Sequence, residues 1–253
     1  MIDTKKDRKN LYLKLSKNDL ISKYKSLLEK EGYKLRVEDG KFVPKNIGSA
    51  YDVPWVYVKT DPRARCDIFH KVFHQIDKYV HSYCRNCYKV VVRPRNLVEL
   101  FDLYELQISL DVPCKCGIER RQEVHGLYGG YFYNRGLEMG LERLDQVREL
   151  VAEKLSPETP VFLKRYCTEF EIGPLSLGRS DEMPDATKDE VEHELKVMSL
   201  FPSVGVSTPQ SEEQIAHVMM SWIHWAYANG DETYKEFTDG SPLFDKYVTY
   251  ERN

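Results

Sequence analysis

The sequence predicts an α+β protein in which antiparallel strands pack with several helices. Two observations indicate this fold class: long runs with helical periodicity, and short runs in which apolar and polar residues alternate. The chain has 253 residues, 42% of them hydrophobic, which is enough to bury a core. With 37 Lys and Arg against 40 Asp and Glu, the formal net charge is -3. That balance excludes a protein whose whole surface is a nucleic-acid footprint.

The first third of the chain predicts a helix, a hairpin, a strand and a second helix. Residues 16 to 31 carry a one-sided apolar stripe behind the cap-type Ser16, with Gly32 as a stop. Asp39-Gly40 separates two short alternating runs, which is typical of a β-hairpin. The segment "VPWVYVKT" reads as a strand. Asp61-Pro62 then predicts a long helix that continues to about Tyr83.

The middle and end of the chain alternate between strand and helix patterns. We predict strands in "YKVVVRP", "GIERRQEV" and "PVFLKRYCTEFEIG", and a short helix in "RNLVELFDLYELQ". Two further helices are expected near 188 to 200 and 211 to 228. Another helix carries a predicted buried stripe, made of Leu137, Leu141, Leu144, Val147, Val151 and Leu155.

Composition divides the chain into three regions. We expect a main α+β domain over residues 1 to 172, with a metal module at about 81 to 122. Residues 173 to 187 are rich in Gly, Pro and Asp and predict a loop or linker. Residues 188 to 253 predict a helical region that packs on the main domain. The N-terminal residues lack an apolar leader pattern and no apolar run is long enough to span a membrane, so we expect a cytoplasmic protein without a membrane partner.

Four of the six cysteines form two close pairs, Cys84-x2-Cys87 and Cys114-x-Cys116. Disulfides are rare in a reducing compartment, so close pairs favour metal binding. Two short turns of this kind can present four thiolates to a tetrahedral zinc ion, and Gly117 supports such a turn. An iron–sulfur cluster uses the same ligands but commonly shows three closely spaced cysteines. The sequence therefore predicts a structural four-cysteine zinc module, and the alternative is a set of unrelated core cysteines.

The predicted helix before the first pair carries five ligand-type side chains along one edge. Such a stripe can bind a metal or supply a general base held by a carboxylate. The alternative is a boundary stripe of half-buried histidines with a structural role. The five residues are Cys66, His70, His74, Asp77 and His81.

Basic residues surround both cysteine pairs. If the pairs pack together, these charges converge into a local patch that can hold phosphates, and the alternative is a solvated face. The residues are Arg85, Lys89, Arg93, Arg95, Arg120 and Arg121. In "YGGYFYNRGL", Tyr131 and Tyr133 are candidates for stacking on a base, while Asn134 is a candidate helix cap beside Arg135.

The last predicted strand has a face that combines charge with a thiol. Alternation sends Phe162, Tyr166 and Phe170 to one side, and Arg165, Cys167, Glu169 and Glu171 to the other. Glu169 can serve as a base or metal ligand and Cys167 as a nucleophile. The alternative is the solvent side of an antiparallel strand.

These patterns support three functional hypotheses. The first is a zinc-binding protein that binds or processes nucleic acid through the basic patch. The second is a metal-dependent or acid-base enzyme on a small substrate, centred on His70, His74 and Asp77 with Glu169 nearby. The third is a zinc-stabilised protein-interaction module. No Walker A, Rossmann, HExxH or GxSxG motif occurs, which excludes several common enzyme classes. The patterns specify neither catalysis nor an oligomeric state.

Overall fold

The computed structural model describes residues 15–30, 34–44, 53–172, 183–201 and 209–244. The fold is α+β, as the sequence predicts. The chain divides into two compact units, each built from three separate segments. Unit 1 contains residues 1–49, 61–88 and 165–208, and unit 2 contains residues 50–60, 89–164 and 209–253. Residues 188–253 are thus shared between the units, a division that composition along the chain cannot reveal.

Unit 1 is mainly helical and contains a two-stranded hairpin. The hairpin turns at Asp39 and Gly40, both with positive φ, as their pairing predicts. Its elements are α1 (Lys17–Lys30), β1 (Leu35–Glu38), β2 (Lys41–Pro44), α2 (Cys66–Ile68), a π-helix (Phe69–Ile76), α3 (Ser82–Arg85), α6 (Thr168–Glu171) and α7 (Lys188–Met198). Its core is built from α1, the π-helix, α7 and two aromatic side chains near α6. Gly32, and most of the predicted linker at 173–187, lie outside the described residues.

The single helix predicted from Asp61 to about Tyr83 is wrong. The structure has one short α-helical turn, then eight residues of π-helix that end at Ile76, with Asp77 as the C-cap. The N–H of Asp77 donates to the carbonyl of Val72, five residues earlier, at 3.0 Å. Lys78 has a φ of 62°, which stops the helix before α3 begins. Apolar periodicity shows a helical face, but it does not distinguish bonds to the fifth residue from bonds to the fourth.

Unit 2 contains all but three residues, Cys87, Tyr88 and Arg165, of a five-stranded sheet in the order β3-β5-β6-β4-β7. The strands are β3 (Trp55–Lys59), β4 (Cys87–Val92), β5 (Cys114–Ile118), β6 (Tyr128–Arg135) and β7 (Val161–Arg165). The helices are α4 (Leu97–Ser109), α5 (Leu137–Lys154), α8 (Glu212–Ala228) and a 3-10 helix (Glu232–Phe237). Strand β5 pairs antiparallel with both β3 and β6. Apolar residues of α4, α5 and α8 share one core with alternate residues of the sheet, so these helices cover one of its faces.

Three local predictions in unit 2 need correction. Leu137 and Leu141 are 52% and 47% exposed, so the buried stripe of α5 is narrower than predicted. Asn134 lies buried within β6 and does not cap α5, which begins after Gly136 at a φ of 91°. The predicted strand "GIERRQEV" ends at Ile118.

The strand predicted in "PVFLKRYCTEFEIG" ends at Arg165, because Tyr166 takes a positive φ of 35° and α6 follows. Phe162 is 39% exposed, whereas Tyr166 and Phe170 are fully buried, so the three do not share a strand face. The capping box of Ser211 with Gln214 is confirmed at the start of α8. No helix within the described ranges is long and apolar enough to cross a membrane.

Candidate metal centre

Three ligand-type side chains of unit 1 meet at one place. One ring nitrogen of His70, the sulfur of Cys167 and a carboxylate oxygen of Glu169 all lie within 4.8 Å of one another. His70 and Cys167 are half-buried, and Glu169 is exposed. In the part of the chain that the structure describes, no other three His, Cys, Asp or Glu side chains bring ligand atoms this close.

The turn after β7 positions two of these residues. The N–H of Tyr166 donates to the carbonyl of Cys87 at 2.8 Å, which holds the end of the strand. The left-handed backbone at Tyr166 then redirects the chain, and α6 begins after Cys167. Cys167 and Glu169 therefore leave the strand direction and lie beside the π-helix that carries His70.

Phe170 packs against the π-helix and holds the segment that carries Cys167 and Glu169 in place. Its ring is fully buried, with its centroid 4.6 Å from that of His70 and 4.7 Å from that of His74. A four-residue helix has little stability of its own, so packing of this kind has to hold it in place. Phe170 thus fixes the segment that carries Cys167 and Glu169.

The donor set has a definite chemical character. An imidazole nitrogen, a thiolate and a carboxylate oxygen together suit zinc and similar transition metals better than Mg²⁺ or Ca²⁺. Three protein ligands leave one position of a tetrahedral ion for water or a substrate. The same groups can also act without a metal, with His70 as the base for a Cys167 nucleophile.

The remaining residues of the predicted stripe lie in other surroundings. Cys66 is exposed, and His74 is 4% exposed against Phe170. His81 is buried, and its Nδ1 accepts the N–H of Tyr83 at 3.0 Å. The break at Lys78 separates His81 from the π-helix, so the five side chains do not form one continuous edge.

Asp77 belongs to a buried polar network. Its carboxylate accepts the hydroxyl of Tyr24 at 2.7 Å and the Lys23 ammonium at 3.2 Å. The Nε2 of His193 lies 3.0 Å from the same group. These contacts link residues of α1 and α7 to the end of the π-helix.

Helix α7 supplies buried functional groups that sequence reasoning missed. Glu194 caps α3 by accepting the N–H of Ser82 at 2.7 Å, and its Oε2 lies 3.5 Å from Nε2 of His81. Burial raises the pKa of the Glu194 carboxyl, although the hydrogen bonds from Ser82 oppose the shift. Glu190, His193, Glu194 and Val197 are buried at helical spacing, a signal that could have identified them.

The structure does not show a four-cysteine zinc knuckle. Cys84 lies in the core of unit 1, Cys87 is half-buried, and Cys114 and Cys116 lie in the core of unit 2. Burial raises the pKa of Cys114 to about 12 and that of Cys116 well above its usual value. Residues two apart on a strand point to the same side, so a Cys-x-Cys spacing also fits a core-facing strand.

The predicted basic residues do not form one exposed face, because Arg85 and Lys89 are buried. The Arg85 guanidinium bonds Glu190 at 3.1 Å within unit 1. In unit 2, Arg95 binds Glu99 and Glu158, and Arg121 binds Glu119 at 2.7 Å. Nη1 of Arg93 lies 3.8 Å from the carboxylate of Glu119, and the Lys89 ammonium lies 5.6 Å from the ring centroid of Tyr133. Arg120 is exposed and Arg135 is half-buried. Carboxylates thus compensate much of the predicted patch.

Comparisons of the chain with protein-family models, with curated proteins and with solved structures find no match.

Proposed function

We propose that this protein is a metal-dependent enzyme whose ion is bound by His70, Cys167 and Glu169. The observation that carries the proposal is the convergence of one nitrogen, one sulfur and one oxygen donor within 4.8 Å. With three protein ligands the ion retains a position for water, and a metal-bound water is a strong nucleophile near neutral pH. The reaction class that follows is metal-assisted hydrolysis of a small polar substrate.

The position of the three side chains supports a functional role. They come from segments about a hundred residues apart in the sequence, and none of the three is fully buried. A fold gains little from assembling polar groups at a partly exposed place, whereas a site must keep its ligands accessible. His70 also belongs to a π-helix, an element that occurs frequently at functional sites.

Titration of the metal-free protein with Co²⁺ tests the metal site. We expect one equivalent to bind, with the ligand-to-metal charge-transfer absorption of a Co²⁺–thiolate bond. Cys167→Ser should remove that absorption, and His70→Ala and Glu169→Gln should weaken binding by about a hundredfold or more, since each removes a direct ligand.

Two matched controls lie next to the ligands. Cys66→Ser removes a cysteine four residues before His70, and Glu171→Gln neutralises a carboxylate of the same short helix. Both should bind Co²⁺ like the wild type. Unchanged Co²⁺ binding by Cys167→Ser would contradict the proposed site.

Azide binding to the Co²⁺ form tests the enzyme part of the proposal. An ion with an open position should take up azide and change its visible spectrum. A Co²⁺ spectrum that azide leaves unchanged would indicate a closed, structural site instead.

The four-cysteine zinc module stays a prediction. The same Co²⁺ titration tests it, because a second site would bind a second equivalent. A second equivalent that is lost in both Cys84→Ser and Cys116→Ser would support it. Structural zinc contributes on the order of 10 kcal/mol to the folding of small domains, so those variants would then be strongly destabilised.

A further inference from the structure

The face of the unit 2 sheet that α4, α5 and α8 do not cover carries an unusual set of side chains. Alternation along the strands places aromatic rings and cations on this face, opposite the apolar core. We define this surface as the aromatic–basic face, made of Trp55, Tyr57, Arg93, Lys115, Tyr131, Tyr133 and Phe162. Lys89 and Val91 of β4 alternate onto the same side of the sheet but are buried. Both edge strands contribute an exposed ring, with Tyr57 40% and Phe162 39% exposed.

Cations and rings are interleaved on this face. The Lys115 ammonium lies 4.4 Å from the ring centroid of Trp55, 5.4 Å from that of Tyr57 and 5.6 Å from that of Tyr131. The guanidinium of Arg93, which directly follows β4, lies 5.5 Å from the ring centroid of Tyr131 on β6. Cation–π contacts of this kind hold positive charge at defined places among the rings.

The backbone makes room for one of these cations. A Cβ atom on Gly129 would lie 2.6 Å from Nη1 of Arg93, so the guanidinium would have to shift if this residue carried a side chain. The same guanidinium donates to the hydroxyl of Tyr131 at 3.2 Å. Gly129 therefore lets Arg93 lie across the sheet face beside the rings.

Three cations and one carboxylate contact the rings of this face. Arg93 and Lys115 belong to the aromatic–basic face, and the guanidinium of Arg121 lies 3.2 Å from the hydroxyl of Tyr131. Glu119 is the carboxylate that contacts this group, through Tyr131, Arg93 and Arg121.

We propose that the aromatic–basic face binds single-stranded nucleic acid, with bases stacked on its exposed rings and phosphates held by its cations. Rings suit the flat faces of unpaired bases, and the positive charge suits the backbone that joins them. Sheets that present aromatic side chains stack two or three bases in this way in RNA-binding modules. This inference concerns unit 2 and is independent of the metal site in unit 1.

Anisotropy of a fluorescein-labelled twelve-residue oligothymidine, titrated with the full-length protein at low salt, tests the proposal. We expect saturable binding that weakens as salt rises. Tyr57→Ala should weaken binding by about tenfold, in line with the loss of one stacked base. Lys115→Gln should lower the slope of log K against log salt by roughly 0.7, the value for one phosphate contact on a single strand.

Three controls make the result specific. Lys154→Ala removes an exposed lysine at the end of α5 and should leave binding unchanged. A duplex of the same length should bind more weakly than the single strand, because its bases are not available for stacking. Tyr57→Phe keeps the ring and should restore the affinity that Tyr57→Ala loses.

Three outcomes would overturn the proposal. The first is no binding at low salt by a wild-type protein with a normal thermal melt. The second is equal weakening by Lys154→Ala and Lys115→Gln, which would indicate a diffuse charge effect. The third is equal affinity for polyglutamate with no effect of Tyr57→Ala, which would show a surface for acidic peptides. Co²⁺ binding at His70 is measured separately in the same variants and should not change, so failure of either proposal is distinguishable.

Discussion

Cysteines occupy two opposite surroundings in this protein. Cys114 and Cys116 extend from β5 into an apolar core, where burial raises the pKa of both thiols. Cys167 lies half-buried in a turn, with His70 and Glu169 within 4.8 Å. A thiol becomes a ligand or nucleophile as its thiolate, and the thiolate forms readily beside a cation or metal but not in an apolar core. The surroundings of each cysteine therefore indicate whether it can act as a thiolate better than its spacing in the sequence does.

The largest contrast should come from placing the same carboxylate in both surroundings. Cys116→Asp puts a charge or an unpaired acid into a fully buried position, and an uncompensated buried charge costs on the order of 3–5 kcal/mol. Cys167→Asp replaces one metal ligand by another at a partly exposed position and should fold normally. Urea denaturation of the two variants measures the difference. Equal midpoints for both variants would show that the two cysteines do not differ in their surroundings.

At alkaline pH, the buried thiol of Cys114 should contribute less to stability as pH rises, whereas an exposed cysteine should not. The pKa of Cys114 is raised to about 12, so between about pH 8.5 and 12 the unfolded chain loses a proton that the folded chain retains. Stability contributed by the buried thiol is thus fully present below pH 8.5 and falls as pH rises, by up to about 1.4 kcal/mol per pH unit.

The measurement is the free energy of unfolding from pH 8 to 10.5, for the wild type and Cys114→Ala. The variant is expected to lose stability less steeply with pH, because it lacks the thiol that ionises on unfolding. Cys66→Ser, at an exposed position, should retain the wild-type slope. A parallel fall in wild type and Cys114→Ala would mean that the thiol is not protected by burial.

The histidines of the π-helix repeat this contrast on a smaller scale. His74 is 4% exposed against Phe170, whereas His70 is half-buried beside Cys167. We expect His74→Ala to lower the free energy of unfolding by about 1 to 3 kcal/mol, the cost of disturbing a buried polar group, with Co²⁺ stoichiometry unchanged. His70→Ala should lose the bound Co²⁺ and leave the free energy of unfolding nearly unchanged. Loss of Co²⁺ by His74→Ala at an unchanged melting midpoint would place His74 in the site instead.

Sequence patterns predicted those features of the fold that local physics determines. The hairpin at Asp39 and Gly40 follows from their tolerance of positive φ, and the start of α8 follows from the capping box of Ser211. The interruption at Lys78 could not be predicted, because tertiary packing and not periodicity decides where a helix changes its hydrogen bonding.

The candidate site was predicted in its components but not in its assembly. His70, Cys167 and Glu169 each stood out as chemically capable, but in two separate elements and with other partners. Their convergence depends on the positive φ of Tyr166 and on the burial of Phe170, and no pattern along the chain specifies either. Conversely, the spacing of Cys114 and Cys116 is typical of a zinc knuckle, but a core-facing strand produces the same spacing.

The smallest effect on oligothymidine binding is expected from substitution of Arg95, whose guanidinium contacts two carboxylates. Arg95 binds Glu99 and Glu158, whereas Arg93 lies across the aromatic–basic face beside Tyr131. We expect Arg93→Ala to weaken oligothymidine binding and to lower its salt slope by roughly 0.7, because one phosphate contact is lost. Arg95→Ala should change neither of these binding values, but it should lower the melting midpoint, because it removes the cation beside the buried carboxylate of Glu99. Anisotropy titrations at three salt concentrations distinguish the two variants. If Arg95→Ala weakens binding as much as Arg93→Ala, then the nucleic acid follows the cluster of arginines predicted from the sequence and not the aromatic–basic face.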